Sequence, residues 1–194
     1  RRPDALGGFA HYVPEGADEQ HMLLALFFRQ KAERFEAFGL PDVFQPPEIR
    51  QFFHDLVDPP NISGDYVLKM HGLRLKGAHD GHIIATSALS RKGGHVLCQF
   101  SSIDDKLCPD ASPGELLFWL MIEQSCQEGA SVFDFGVGDQ PYKHSWGTET
   151  TGTKDIVLPL TSRGRLAMPV LRGLTRLRQA VKRNPKLYAA VQRI

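Results

Sequence analysis

Near residue 65 the hydrophobic pattern of this chain changes from helical to strand period, and near residue 112 it changes back. Asp65–Gly77, His82–Ser90 and His95–Ser102 are rich in Val, Ile, Leu, Thr and Tyr. His79-Asp80-Gly81 and Arg91-Lys92-Gly93-Gly94 separate them, and both suit hairpin connections, so a three-stranded antiparallel meander is expected. Ser112-Pro113-Gly114-Glu115 then opens a helix with Leu116, Leu117, Leu120, Met121 and Gln124 on one side, ending at Gly129. Serine at the N-cap with Glu115 three residues on reads as a capping box. Ser131–Phe135 follows as a short strand reached by that crossover helix. A meander joined through a crossover to one more strand predicts an α/β (α+β) fold: a mixed central sheet flanked by helices.

The flanks are simpler. Gly8–Pro14 reads as a first strand. Asp18 stands as an N-cap before Met22, Leu23, Leu26, Phe27, Ala32, Phe35 and Phe38, a long amphipathic helix stopped by Gly39 and Pro41. A second helix is predicted over Pro47–Val57, opened by proline and closed by Asp58-Pro59-Pro60. After Gly136–Pro141, a glycine-rich turn, Tyr142–Trp146 makes one or two helical turns and Lys154–Leu160 reads as a last strand.

The 194 residues are 42% hydrophobic and 23% charged, ordinary globular values. The richest apolar stretch, Met22–Phe28, is far short of the ~20 residues a membrane span needs. Cys98, Cys108 and Cys126 form no CxxC and no metal-like pairing with histidine. They read as reduced thiols of a cytoplasmic protein. His11, His21, His54, His71, His79, His82 and His95 lack ligand spacing, so no metal is expected. Because residue 1 is Arg, the chain is expected to be a piece of a longer protein whose upstream half helps complete the cleft.

The net charge of +1 conceals an asymmetry: Thr161–Ile194 holds nine of the 23 Lys and Arg residues and no acid. The remaining body carries 14 basic against 22 acidic residues, a net of −8, which disfavours nucleic acid as a partner of that body. We therefore divide the chain at 160/161. In the tail, Leu166, Val170, Leu174, Leu177 and Val181 recur at helical spacing among Arg165, Arg172, Arg176, Lys182 and Arg183. Such a helix packs on protein, lies on the inner face of a membrane, or binds nucleic acid.

Chemistry concentrates in Val132–Gly147. Phe133 and Phe135 share one face of the strand and Asp134 takes the other; Gly136 and Gly138 permit a sharp turn. Tyr142, Lys143, His144 and Trp146 then crowd beyond a strand's C-terminal end, where open α/β sheets bind ligands. The alternative is that Tyr142 and Trp146 cap the core while Lys143 and His144 face water.

These motifs carry a resemblance. Ser112-Pro113-Gly114, Phe133-Asp134-Phe135-Gly136, Gly138-Asp139, Tyr142-Lys143 and Trp146 together resemble the cellulose-biosynthesis (CelD-type) acetyltransferase family. That family is a branch of the GNAT superfamily related to FemAB-like transferases, and the likeness spans about Asp18 to Gly147. It implies a GNAT-like acyl-CoA N-acyltransferase fold in which acyl-coenzyme A lies where the sheet splays after the crossover. Acetyl-CoA would be the co-substrate, and the acceptor a small molecule or saccharide amine or hydroxyl of polysaccharide or envelope biosynthesis.

By the same resemblance, Phe100, Ser101, Ser102 and Ile103 would line the pantetheine. The N–H groups of Ser112, Gly114 and Glu115 would face pyrophosphate, with Lys106 the nearest compensating charge. The usual pyrophosphate signature is replaced by Asp110-Ala111-Ser112-Pro113-Gly114. Tyr142 is the positional match for the proton donor to the departing thiolate, which a phenol with a pKa near ~10 can serve at neutral pH. The base is Asp134, His144 or Asp139, in that order, unless Asp134 instead caps the turn; Lys143 would hold a carboxylate or phosphate. Two rivals stay open: a GNAT-shaped scaffold without catalysis, and a FemAB-like transferase using aminoacyl-tRNA.

Overall fold

The computed structural model describes residues 7–57, 64–104, 106–107, 112–138, 140–152, 154 and 156–183, with side chains to residue 177. The chain forms two compact units, Arg1–Gly147 and Thr148–Ile194.

The first unit is built on a five-stranded sheet in the order β1-β2-β3-β4-β5. Its strands are β1 Phe9–Tyr12, β2 Tyr66–Leu75, β3 Ile83–Lys92, β4 His95–Ile103 and β5 Val132–Asp134. The first three junctions are antiparallel and β4–β5 is parallel, as a crossover connection requires. The helices are α1 Ala17–Ala37, α2 Pro47–Val57, α3 Pro113–Gln127 and α4 Pro141–Trp146.

Alternation along β2 divides the core between the two faces of the sheet. Leu68 and Met70 pack with Leu23, Leu24, Phe27 and Phe28 of α1. Leu73 and Leu75 pack with Leu117, Phe118 and Met121 of α3. Gly72 lets α1 close on the sheet: a Cβ there would sit 3.5 Å from the Leu23 methyls and 3.3 Å from Ile83. Beyond the end of β1, the Met70 N–H donates to Gln20 Oε1 at 2.7 Å, so a buried side chain substitutes for the missing strand.

Helix ends differ from the sequence expectations. The N-cap of α1 is Gly16 rather than Asp18, which lies in the first turn. Ser112 does cap α3, but at φ 45° and ψ 54° its side chain makes no capping bond, so the capping box does not form. A capping hydroxyl reaches the N3 amide from an extended backbone, and the left-handed conformation turns it elsewhere. At the other end, Gly129 at φ 76° closes α3 with Ala130 N–H to Ser125 O (2.8 Å) and Gly129 N–H to Cys126 O (3.0 Å).

In the second unit, α5 covers Ser162–Arg183. Thr161 precedes it and accepts the Gly164 N–H at 3.1 Å. The strand expected over Lys154–Leu160 is absent there: Lys154 and residues 156–160 are irregular. An apolar β-branched run becomes a strand only when a partner takes its N–H and C=O groups, and composition cannot supply one.

Candidate active site at the opening between β4 and β5

β4 bonds to β3 along its whole length but to β5 only at His95, Val96 and Leu97. From Cys98 to Ile103, no strand among the described residues covers the β5-facing backbone edge of β4. The sheet therefore opens there. Two local causes are visible. β5 is only three residues long, and its exit is held in a turn with Gly136 at φ 71° and Gly138 at φ 121°. Asp134 Oδ1 accepts the Gly136 N–H at 2.7 Å, and Lys143 Nζ donates to the Gly136 and Val137 carbonyls at 3.1 Å each. A Cβ on Gly136 would lie 3.4 Å from Cys98 O, so this turn packs directly on β4 where the strands part.

A β-bulge sits at the same point. Leu89 pairs with Cys98 and Ala88 with Phe100, leaving Gln99 as the extra residue. One inserted residue flips the faces that follow. Val96 and Cys98 join the α3 side of the core, whereas Phe100 joins the α1 side and stacks on Phe27 at 4.2 Å. Ser102, buried on the next turn of the pleat, has no hydrogen-bond partner for its hydroxyl among the described residues.

At the far end of β4, a Cβ on Gly114 would meet Ile103 Cγ2 at 3.2 Å, so the N-terminus of α3 abuts the end of the open edge. Pro113 has no N–H, and the Glu115 N–H turns back to Ser112 O at 3.0 Å. Gly114 is left as the first α3 residue whose N–H helix geometry frees for an outside acceptor. The Lys106 ammonium pairs with Glu33 of α1, and the Lys106 N–H donates to Asp104 Oδ1 at 3.1 Å.

Across the opening, the half-buried Tyr142 ring stacks on Phe118 at 5.4 Å and meets Phe135 edge-on at 6.2 Å. Burial first, and then Cys98, raises the Tyr142 pKa, so the phenol stays protonated at neutral pH. Burial likewise pushes the Cys98 thiol up, against the opposing influence of the Ser87 hydrogen bond and of Lys143. The second Asp134 oxygen lies 3.4 Å from His95 Nε2, with both side chains about half exposed. His144 is exposed. Asp139 lies outside the described residues.

The family model described as "Acetyltransferase (GNAT) domain" matches residues 1–144. The chain belongs to the GNAT acetyltransferase family. Solved structures agree on the GNAT fold at low identity. A "possible acetyltransferase" from Clostridium difficile 630 aligns at TM-score 0.53 and 12% identity, over 77% of this chain and 98% of its own. A "predicted acetyltransferase with acetyl-CoA" from Clostridium acetobutylicum gives 0.52 and 9%, over 79% and 97%. The ribosomal-protein-alanine N-acetyltransferase of Brucella melitensis biovar Abortus 2308 gives 0.50 and 8%, over 78% and 99%. Among curated proteins none matches.

The GNAT unit thus brings together Phe100 to Ile103, Gly114, Asp134, Tyr142 and Lys143 around one opening, while Lys106 is drawn toward α1. Sequence reasoning missed the bulge at Gln99, which no residue type announces, and the half-buried Lys31. Its ammonium lies 6.0 Å from the Phe27 ring and 5.8 Å from the Phe35 ring, and burial lowers its pKa. A cavity of about 470 Å³ lies elsewhere, between α1 and the β2–β3 turn, lined by Glu19, Arg29, Glu33, His82, Asp104 and Lys106 among others. It shares only Lys106 with the expected site, and the open β4 edge is the better candidate because among the described residues no strand takes the backbone donors and acceptors on its β5 side.

Proposed function

We propose that this protein transfers an acetyl group from acetyl-coenzyme A to an amine or hydroxyl, with a saccharide of polysaccharide or envelope biosynthesis as acceptor. The observation that carries the reading is the open edge of β4 from Cys98 to Ile103, facing a protonated tyrosine. An extended pantetheine arm adds to such an edge as a strand would, and its amides satisfy the backbone groups that β5 leaves unpaired. The Gly114 N–H at the α3 terminus favours the pyrophosphate end. The saccharide assignment rests on the resemblance to the cellulose-biosynthesis branch.

In the reaction, the acceptor nitrogen or oxygen attacks the thioester carbon, the carbon–sulfur bond breaks, and acetyl forms an amide or ester. The acceptor proton passes to a base, and the Tyr142 hydroxyl protonates the thiolate before recovering a proton from solvent. As bases, Asp134, His144 and Asp139 keep their order, with one refinement: Asp134 already accepts the Gly136 N–H and faces His95, so it acts through water. Lys143 steadies the turn through two carbonyls and supplies positive charge near the departing sulfur. The reaction belongs to the cytoplasm, where thiols such as Cys98 stay reduced.

A second reading, a GNAT-shaped binding module without catalysis, draws on the Glu115 N–H being spent on Ser112 O and Lys106 on Glu33. Calorimetric titration with acetyl-coenzyme A separates the two. Saturable binding that a Gly114→Val substitution weakens supports the enzyme. Absence of binding up to millimolar ligand leaves the module.

A further inference from the structure

The acetyl-transfer chemistry leaves α5 without a task, and its design is specific. Leu166, Val170, Leu174 and Leu177 recur at i, i+4, i+8 and i+11, and all four side chains are well exposed, from 52% to 79%. Among the described residues of their own unit nothing covers them. Arg165, Arg172 and Arg176 lie within about 40° of one another around the helix, roughly 140° from the centre of that stripe at ~100° per residue. No acidic residue occurs anywhere in Thr161–Ile194. Arg163, in the first turn at the end of the stripe, has a stem long enough to snorkel.

We propose that α5 docks this protein on the surface of an anionic bilayer. The partner must meet an apolar stripe and a run of cations along about 33 Å of helix at once. A nucleic acid offers the phosphates but nothing for four aliphatic side chains. An acidic protein groove would need matched partners in register, whereas the cations here are spread along the helix with no acid among them. A bilayer interface supplies acyl chains below and phosphates around, without register. The helix lies on the membrane and does not cross it: among the described residues no helix is long and apolar enough to span. Pro169 within the helix weakens it in water, so contact with the interface also adds order.

The test is sedimentation of the full 194-residue chain with vesicles of pure phosphatidylcholine and vesicles containing one-third phosphatidylglycerol. Binding is expected to the anionic vesicles, to weaken with salt, and to fall about a hundredfold when Arg165, Arg172 and Arg176 are changed together to Glu. Leu174→Asp with Leu177→Asp should abolish it, and Leu174→Met with Leu177→Met should retain it, which controls for loss of the helix. Acetyl-coenzyme A titration of the same variants should be unchanged, so failure of the membrane reading is distinct from failure of the enzymatic one. Binding to duplex DNA that survives both Asp substitutions, without vesicle binding, would overturn the proposal in favour of a nucleic-acid arm. Binding to neither overturns it in favour of a stripe that packs on protein.

Discussion

One strand, β4, separates two regions of unlike character. On its β3 side every register position is paired, apart from the single bulge, and the facing stretch of β3 from Ala85 to Leu89 is buried, with Ala85, Ala88 and, on β4, Val96 fully enclosed. On its β5 side three pairs form and the ladder then stops, leaving half-buried aromatic rings, a glycine turn and partly exposed charges. The first region commits its backbone groups to the fold. The second withholds them, and a ligand can complete what folding did not. Stability and chemistry are therefore expected to respond to different substitutions on either side of one strand.

The comparison breaks most directly at Leu73, fully buried against α3. Leu73→Ala should cost about 2–5 kcal/mol in urea unfolding while acetyl-coenzyme A affinity per folded molecule holds. A loss well under ~1 kcal/mol would mean the paired region is not the stable one. Tyr142→Phe should do the reverse. It should lower kcat about a hundredfold, ~2.7 kcal/mol in the barrier, and shift unfolding little, because the ring still stacks on Phe118. An unchanged kcat would remove Tyr142 from the reaction.

Gly136→Ala probes the boundary. The added Cβ would make an ordinary 3.4 Å contact with Cys98 O, so the cost comes from the backbone at φ 71°, about 1–2 kcal/mol by thermal melting. Weaker ligand binding should accompany it, since the turn lies where the strands part. The smallest expected effect is a pH dependence on the paired side. His11 Nε2 lies 3.1 Å from His71 Nδ1 across β1 and β2, and burial is the leading cause of the lowered pKa of each. The folded state then binds fewer protons than the unfolded chain just below pH ~6.5, so stability rises with pH through that window and falls on acidification. From pH 7 to pH 6 the loss should be ~1 kcal/mol. His71→Leu should flatten it, and a wild-type unfolding midpoint independent of pH would refute the assignment.

Much of the fold was legible because local rules governed it. Pro47–Val57 is read residue for residue from its opening proline and following Asp-Pro-Pro. The meander emerges from composition and two turn sequences, and the crossover makes β5 parallel. The candidate site was legible in part, since Phe133–Trp146 concentrates glycine, aromatic and charged residues in one run. What escaped were features in which two distant segments decide together. Ser112 was expected to cap with its side chain, yet the local backbone is left-handed. Asp134 caps the turn, as one of the two readings held, but it also faces His95, 39 positions earlier in the chain, which nothing local announced. The histidines that looked single along the chain meet in pairs, His11 with His71 and His21 with His54.

By itself the sequence determined the order and type of the elements as far as Trp146, though not the strand expected over Lys154–Leu160, because hydrophobic period, turn residues and helix breakers act within a few positions of themselves. It also determined the charge contrast between the body and the basic tail, which composition alone sets. Only the tertiary structure decided where pairing of β4 with β5 stops, how the bulge at Gln99 turns Phe100 to the α1 face, and that Gly114 meets Ile103. The reason is physical: pairing, bulging and close approach are properties of two chain segments at once, and a single segment's residues fix only what each can offer.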